Sequence, residues 1–152
     1  MLLQACLQAR RWQDQFPDAP PLSMHVNLSG RQLEDPRLVG EVVKVLETTR
    51  LSPRQLTLEI TESVLVTDIE AMSNRLRELK GLGVLLAIDD FGTGYSSLSY
   101  LRRFPIDMLK IDKALVDGIG RGREDAALAR TVADGGFHLP VAQPAGSLFE
   151  VG

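Results

Sequence analysis

Cysteine occurs once, at Cys6, so an intramolecular disulfide is excluded and a reducing compartment, the cytoplasm, is expected. The only histidines are His25 and His138, which leaves no Cys/His cluster for a structural zinc. No apolar run approaches the ~20 residues that a helix needs to cross a bilayer. Basic residues form no dense run and the formal net charge is −3, which argues against a DNA, RNA or anionic-membrane surface. Leu3-Gln4-Ala5-Cys6 resembles a lipoprotein cleavage box but lacks the basic and apolar regions that should precede it, and it reads as helix.

What remains is a 152-residue chain, one domain by length. Met1 to Gln15 has helical spacing, with Leu3, Cys6 and Leu7, joined by Trp12 and Phe16, forming its apolar face ahead of Pro17. Ser23 to Ser29 alternates as a strand, Met24, Val26 and Leu28 opposing Ser23, His25 and Asn27. Asp35 reads as the cap of a helix with Pro36 at its first position and Leu38, Val42, Val45 and Leu46 as its buried stripe. Leu56 to Glu62 is a second period-two strand. Thr67-Asp68-Ile69-Glu70 has capping-box spacing before a helix carrying Ile69, Met72, Leu76 and Leu79, which stops at Gly81-Leu82-Gly83. Further on, the sequence predicts a strand at Val84–Ile88, a short helix over Ser97–Arg103, a strand over Asp107–Asp112 and a helix over Arg123–Ala133. Strands alternating with helices imply βαβ crossovers and a parallel sheet, open or part of a barrel.

One stretch departs from ordinary scaffold. The run Val84 to Ile88 ends in two adjacent carboxylates, Asp89 and Asp90, followed by the loop Phe91-Gly92-Thr93-Gly94-Tyr95-Ser96. The carboxyl ends of parallel strands are where ligands bind, and two ionised neighbours repel unless a cation or a shared proton is near. A turn-forming aspartate is the plainer alternative.

The large apolar residues of each strand should face the covering helices, which sends the other parity to the opposite side. Asn27, Glu59, Asp89 and Lys110 all have that parity. Four polar groups on one side are costly to bury unless they satisfy one another or a ligand. An amide oxygen and carboxylates are hard donors, suited to magnesium, manganese or calcium. Paired ions of that kind serve in-line attack on a phosphodiester. Lys110 could orient or deprotonate water, or only neutralise acid. The competing reading is a ligand-free ion-pair network of Glu59, Asp89 and Lys110.

At this point four blocks, Asn27-Leu28-Ser29, Leu58-Glu59-Ile60-Thr61-Glu62-Ser63, Ala87 to Leu98 and Leu109-Lys110-Ile111-Asp112, together resemble the signature segments of EAL-domain phosphodiesterases. The resemblance implies a TIM-like barrel, of which about five parallel strands alternating with helices are expected here, since a whole one needs roughly 250 residues. It implies hydrolysis of cyclic di-GMP to linear pGpG with Mg2+ or Mn2+. Asn27, Glu59, Asp89 and Asp90 would hold metal, with Glu59, Asp89 and Lys110 as the catalytic set and Lys110 acting on the water. Glu62 would anchor the regulatory loop Phe91, Gly92, Thr93, Gly94, Tyr95 and Ser96. That loop and the adjacent helix would form a homodimer contact.

The resemblance covers residues 1–133 as a partial domain. The family's Glu-Ala-Leu strand, expected before Leu2, is absent, and Gln143 stands about where a catalytic glutamate belongs. Residues 134–152 turn rich in glycine and proline and are expected to be an irregular, divergent or frameshifted tail. The expectation is a fragment of a phosphodiesterase, inactive and either poorly soluble or oligomeric as an isolated chain. The alternative is a degenerate EAL module that binds nucleotide or a signalling partner without catalysis. A two-component receiver domain is disfavoured because its acidic pair lies on the first strand. Asp90-Phe91-Gly92 spells the kinase metal-binding tripeptide, but no glycine-rich phosphate loop accompanies it.

Overall fold

The computed structural model of the chain describes residues 1–65, 68–91 and 103–111. The alternating segments form parallel strands β1 (Met24–Leu28), β2 (Leu56–Thr61), β3 (Leu85–Phe91) and β4 (Met108–Ile111). Among the described residues these make one sheet in the order β1-β2-β3-β4. Parallel neighbours need a crossover, and helices supply those between the first three strands. Helix α1 (Leu2–Gln15) leads into β1. Helices α2 (Gly30–Glu34) and α3 (Leu38–Thr49), with a short 3-10 turn at Pro53–Gln55, join β1 to β2. Helices α4 (Glu62–Leu65) and α5 (Ile69–Gly81) lie between β2 and β3. The arrangement is the α/β, parallel architecture that the alternation implies, and the partial TIM-like one that the resemblance implies. A fifth strand, most of the Ser97–Arg103 helix, the Arg123–Ala133 helix and the 134–152 tail fall outside the described residues.

Register explains the layering. Val26 pairs with Leu58, Leu58 with Leu86, Ile60 with Ile88, and Ile88 with Leu109, so one sheet face carries a continuous aliphatic row. These side chains, with Met24, Leu28 and Leu56, join Ala5, Cys6 and Ala9 of α1, Leu38, Val42 and Val45 of α3 and Met72, Leu76 and Leu79 of α5 in one buried cluster. The helices therefore cover the face to which the strand parity assigns the large residues.

Several local expectations need correcting. In α1 the buried face is Ala5, Cys6 and Ala9, with Leu2 and Trp12 packed against the core, while Leu3 and Phe16 are exposed. Small residues win there because the helix approaches the core closely. Burial lifts the Cys6 thiol to about 11, which keeps it a packing group. Asp35 does not cap α3. Its carboxylate instead accepts the Arg37 backbone N–H and both Nε and Nη2 of the Arg37 guanidinium, holding its pKa down at about 2, and α3 begins at Leu38. Helix α2, which the pattern did not suggest, starts on a capping box: Ser29 Oγ accepts the Gln32 N–H, and Gln32 Oε1 accepts the Ser29 N–H. At α5 the cap is Asp68, its Oδ1 accepting the Ala71 N–H, one residue later than the Thr67-to-Glu70 spacing implies.

The consequential difference is in β3. The strand runs on to Phe91, so Asp89 and Asp90 lie within it and not beyond its end. Between Ile88 and Phe91 the pairing with β4 shifts: Ile88 stands against Leu109 and Phe91 against Ile111, three steps on one strand for two on the other. This is a bulge with one extra residue. Asp90 takes φ of 53°, a left-handed conformation that Asp tolerates better than most residues. Phe91 is buried in the helix-side core. Glu62, expected at the end of β2, opens α4 and is buried.

Candidate active site

Opposite the aliphatic row, the sheet presents the polar parity. Asn27 on β1 stands level with Glu59 on β2, and Glu59 level with Ala87 on β3. Asp89 is two residues further along β3, level with Thr61. Ala87 pairs with Met108, which puts Lys110 of β4 on the same side. The four residues picked out by strand parity thus share one face, toward the carboxyl ends of adjacent strands.

Three of them interact. The Lys110 Nζ lies 2.5 Å from Glu59 Oε1, with the Glu59 side chain 4% exposed and that of Lys110 33% exposed. The same oxygen accepts a hydrogen bond from His25 Nδ1 at 2.5 Å. Because an ionised carboxylate only accepts, His25 must carry its proton on Nδ1 in this contact. Burial works to raise the Glu59 pKa, but the hydrogen bonds and charges of His25 and Lys110 outweigh it, and the net direction is below the ordinary glutamate value. Asp89 goes the other way. Burial raises its pKa, and the like charges of Glu59 and Asp90 add to that rise, while Lys110 only partly offsets them. The face therefore holds an acid kept ionised beside one whose charge is under-compensated.

Asn27 is exposed at the rim, and Asp90 is exposed on the bulge. Among the described residues no group of three or more His, Cys, Asp and Glu side chains is drawn up in metal-holding geometry. The structure brings Glu59, Asp89 and Lys110 together and places Asn27 and Asp90 beside them. Of the residues expected to form a regulatory loop, Phe91 is a core residue, and Gly92, Thr93, Gly94, Tyr95 and Ser96 lie outside the described residues. His25 is the residue that sequence reasoning missed. Its signal was available: it has the parity of Asn27, and its register partner Thr57 is two residues before Glu59, which makes His25 and Glu59 diagonal neighbours.

A separate clip secures β4. Asp107 accepts the Leu86 N–H on one carboxylate oxygen and contacts Lys80 Nζ at 2.5 Å with the other, while its own N–H donates to Leu86 O. This fixes the register that delivers Lys110 to Glu59.

Comparison with known proteins assigns the chain to a family. The family model described as "EAL domain" matches residues 1–137. The chain belongs to the EAL domain family, whose solved members include phosphodiesterases for cyclic di-GMP. It is 39% identical over 132 residues to the bifunctional diguanylate cyclase/cyclic di-GMP phosphodiesterase MucR of Pseudomonas aeruginosa, covering 87% of this chain and 19% of that protein. It is 47% identical over 141 residues to an uncharacterized signaling protein of Caulobacter vibrioides, covering 93% and 17%. Among solved structures, the PaMucR phosphodiesterase in complex with c-di-GMP superposes with a TM-score of 0.77 at 37% identity, covering 91% of this chain and 57% of that one. The BlrP1 manganese/cy-diGMP complex of Klebsiella pneumoniae gives 0.71 at 31% identity, covering 91% and 36%. The chain spans 16% and 17% of the length of the first two curated relatives it matches. No helix among the described residues is long and apolar enough to cross a membrane.

Proposed function

We propose that the chain carries part of a divalent-metal site for cleaving cyclic di-GMP to linear pGpG. The observation that carries this reading is the buried Glu59 carboxylate, held ionised by His25 and Lys110 next to Asp89, whose charge lacks full compensation. An added cation would meet that deficit. The donors on offer, the Asn27 amide oxygen and the carboxylates of Glu59, Asp89 and Asp90, are all oxygen, which fits Mg2+ or Mn2+. When bound, such an ion supplies electrophilic polarisation of a phosphodiester and acidifies water. Lys110 is the residue assigned to the hydrolytic water, which it would hold by its ammonium while neutralising the acids around it. A dimer contact through the 91–96 loop belongs to the same reading.

Low turnover is supported by Gln143, which stands about where the family resemblance places a catalytic glutamate. The Glu59–Lys110 pair, complete without any ligand, also favours a second reading in which the module binds cyclic di-GMP and does not cleave it.

Titration calorimetry with cyclic di-GMP, with and without Mn2+, tests the proposal, together with chromatographic detection of pGpG. Mn2+-dependent binding that Asp89→Asn abolishes is the expected result. Slow pGpG formation lost in Lys110→Met supports cleavage, and binding without any product supports the second reading. Absence of binding under both conditions would refute both.

A further inference from the structure

The mechanism sketched above gives Lys110 two tasks, and they conflict. In the structure its ammonium neutralises Glu59, yet to work on water it must turn away from that carboxylate. Leaving a nearly buried carboxylate with no donor is costly. His25 resolves the conflict, because its Nδ1–H is already on the oxygen that Lys110 holds. The imidazole comes from β1, on the side of Glu59 away from β4, so its contact does not depend on where the Lys110 side chain goes.

We propose that His25 is a positioning residue for the metal-binding carboxylate: it fixes the Glu59 side-chain orientation and keeps that group satisfied when Lys110 engages water or substrate. The inference rests on the functional reading above. His25 touches neither metal nor substrate in this scheme and acts through Glu59. Strand β1, at one end of the described sheet, is suited to such a task. His25 is two residues before Asn27 on the same face, so a short strand, pinned by the buried Met24, Val26 and Leu28, sets both side chains at once. Hydrogen bonds that orient metal-ligating carboxylates commonly matter by 10- to 100-fold in metal affinity.

The test uses the whole chain and Mn2+ alone as probe, read by calorimetry and by the Mn2+ electron paramagnetic resonance signal. His25→Ala should weaken Mn2+ binding about tenfold or more. His25→Asn, whose amide N–H can sit near the Nδ1 position, should recover most of that loss. Circular dichroism of the metal-free variants checks that they are folded, and only folded variants are compared. Imidazole 15N spectra of the metal-free chain give a second readout. The His25 proton should reside on Nδ1, and Glu59→Gln should move that resonance. Mn2+ uptake that Asp89→Asn lowers but His25→Ala leaves unchanged would overturn this inference alone. So would a His25 ring protonated on Nε2 only and indifferent to Glu59→Gln. A wild-type chain that takes up no Mn2+ overturns the metal reading and this inference with it.

Discussion

The two faces of the β1–β4 sheet are built from the same strands and share one period, yet they obey different rules. On the helix side, every level from Met24 to Leu109 is filled by an aliphatic group, and the free energy comes from removing that surface from water. On the other side the residues one position away are Asn27, Glu59, Asp89 and Lys110, and there stability depends on pairing. The helix side would tolerate an exchange of one aliphatic residue for another of like volume. The polar side has less latitude, because Glu59 is matched to two particular donors, Lys110 and His25.

Breaking the helix side should have the largest effect on stability. Leu58 is fully buried at the centre of β2, and Leu58→Ala is expected to cost roughly 2–5 kcal/mol, enough to unfold a domain of ordinary stability. Urea denaturation followed by circular dichroism measures it, and a loss under 1 kcal/mol would mean that the aliphatic row is not the core described here. The polar face should yield less. Lys110→Met removes one of two donors to Glu59 and is expected to cost roughly 1–2 kcal/mol, below the loss for a wholly buried pair because Lys110 is partly exposed and His25 remains.

Asp89→Asn should move stability in the opposite direction and by the least. The folded pKa of Asp89 lies above its unfolded value, so ionisation at neutral pH opposes folding. The amide variant should therefore be slightly more stable than wild type at pH 7. The advantage should shrink as pH falls through the carboxylate range, where Asp89 takes up its proton. Glu59 contributes with the reverse sign: its lowered pKa gives stability that is complete above the ordinary glutamate range and is lost as pH drops below it. A urea midpoint for Asp89→Asn that falls at pH 7 would show that the carboxylate is satisfied already and needs no cation.

Strand parity was legible because burial imposes it directly on β1, where Met24, Val26 and Leu28 alternate in sequence and are alternately buried in space. In β2 the same alternation of residue types holds although both faces are buried, Thr57 and Glu59 included. From that period alone the four polar residues could be assigned to one face. What could not be read were features set by contacts distant in sequence or by a single backbone angle. His25 meets Glu59 across 34 positions, and only the β1–β2 register reveals them as neighbours. The true end of β3 was hidden because Asp89 and Asp90 look like a turn. The strand continues since Asp90 can adopt a left-handed angle, which few side chains other than glycine, asparagine and aspartate accept readily. Helix α1 was assigned its apolar face by helical spacing of its larger residues, which found Cys6 and Trp12 but passed over the buried Ala5 and Ala9 and included the exposed Leu3 and Phe16.

The extra residue in β3 governs which way an aromatic ring swings. Counted without interruption from Ala87 and Asp89, position 91 would fall on the polar side, and a phenyl group would stand among Glu59, Asp89 and Lys110. By absorbing one position at Asp90, the strand turns that ring over into the oily layer, where it anchors the segment leading to Gly92. Deleting a single amino acid here would thus do more than shorten a strand: it would take an aromatic ring out of the oily layer and set it beside charged groups.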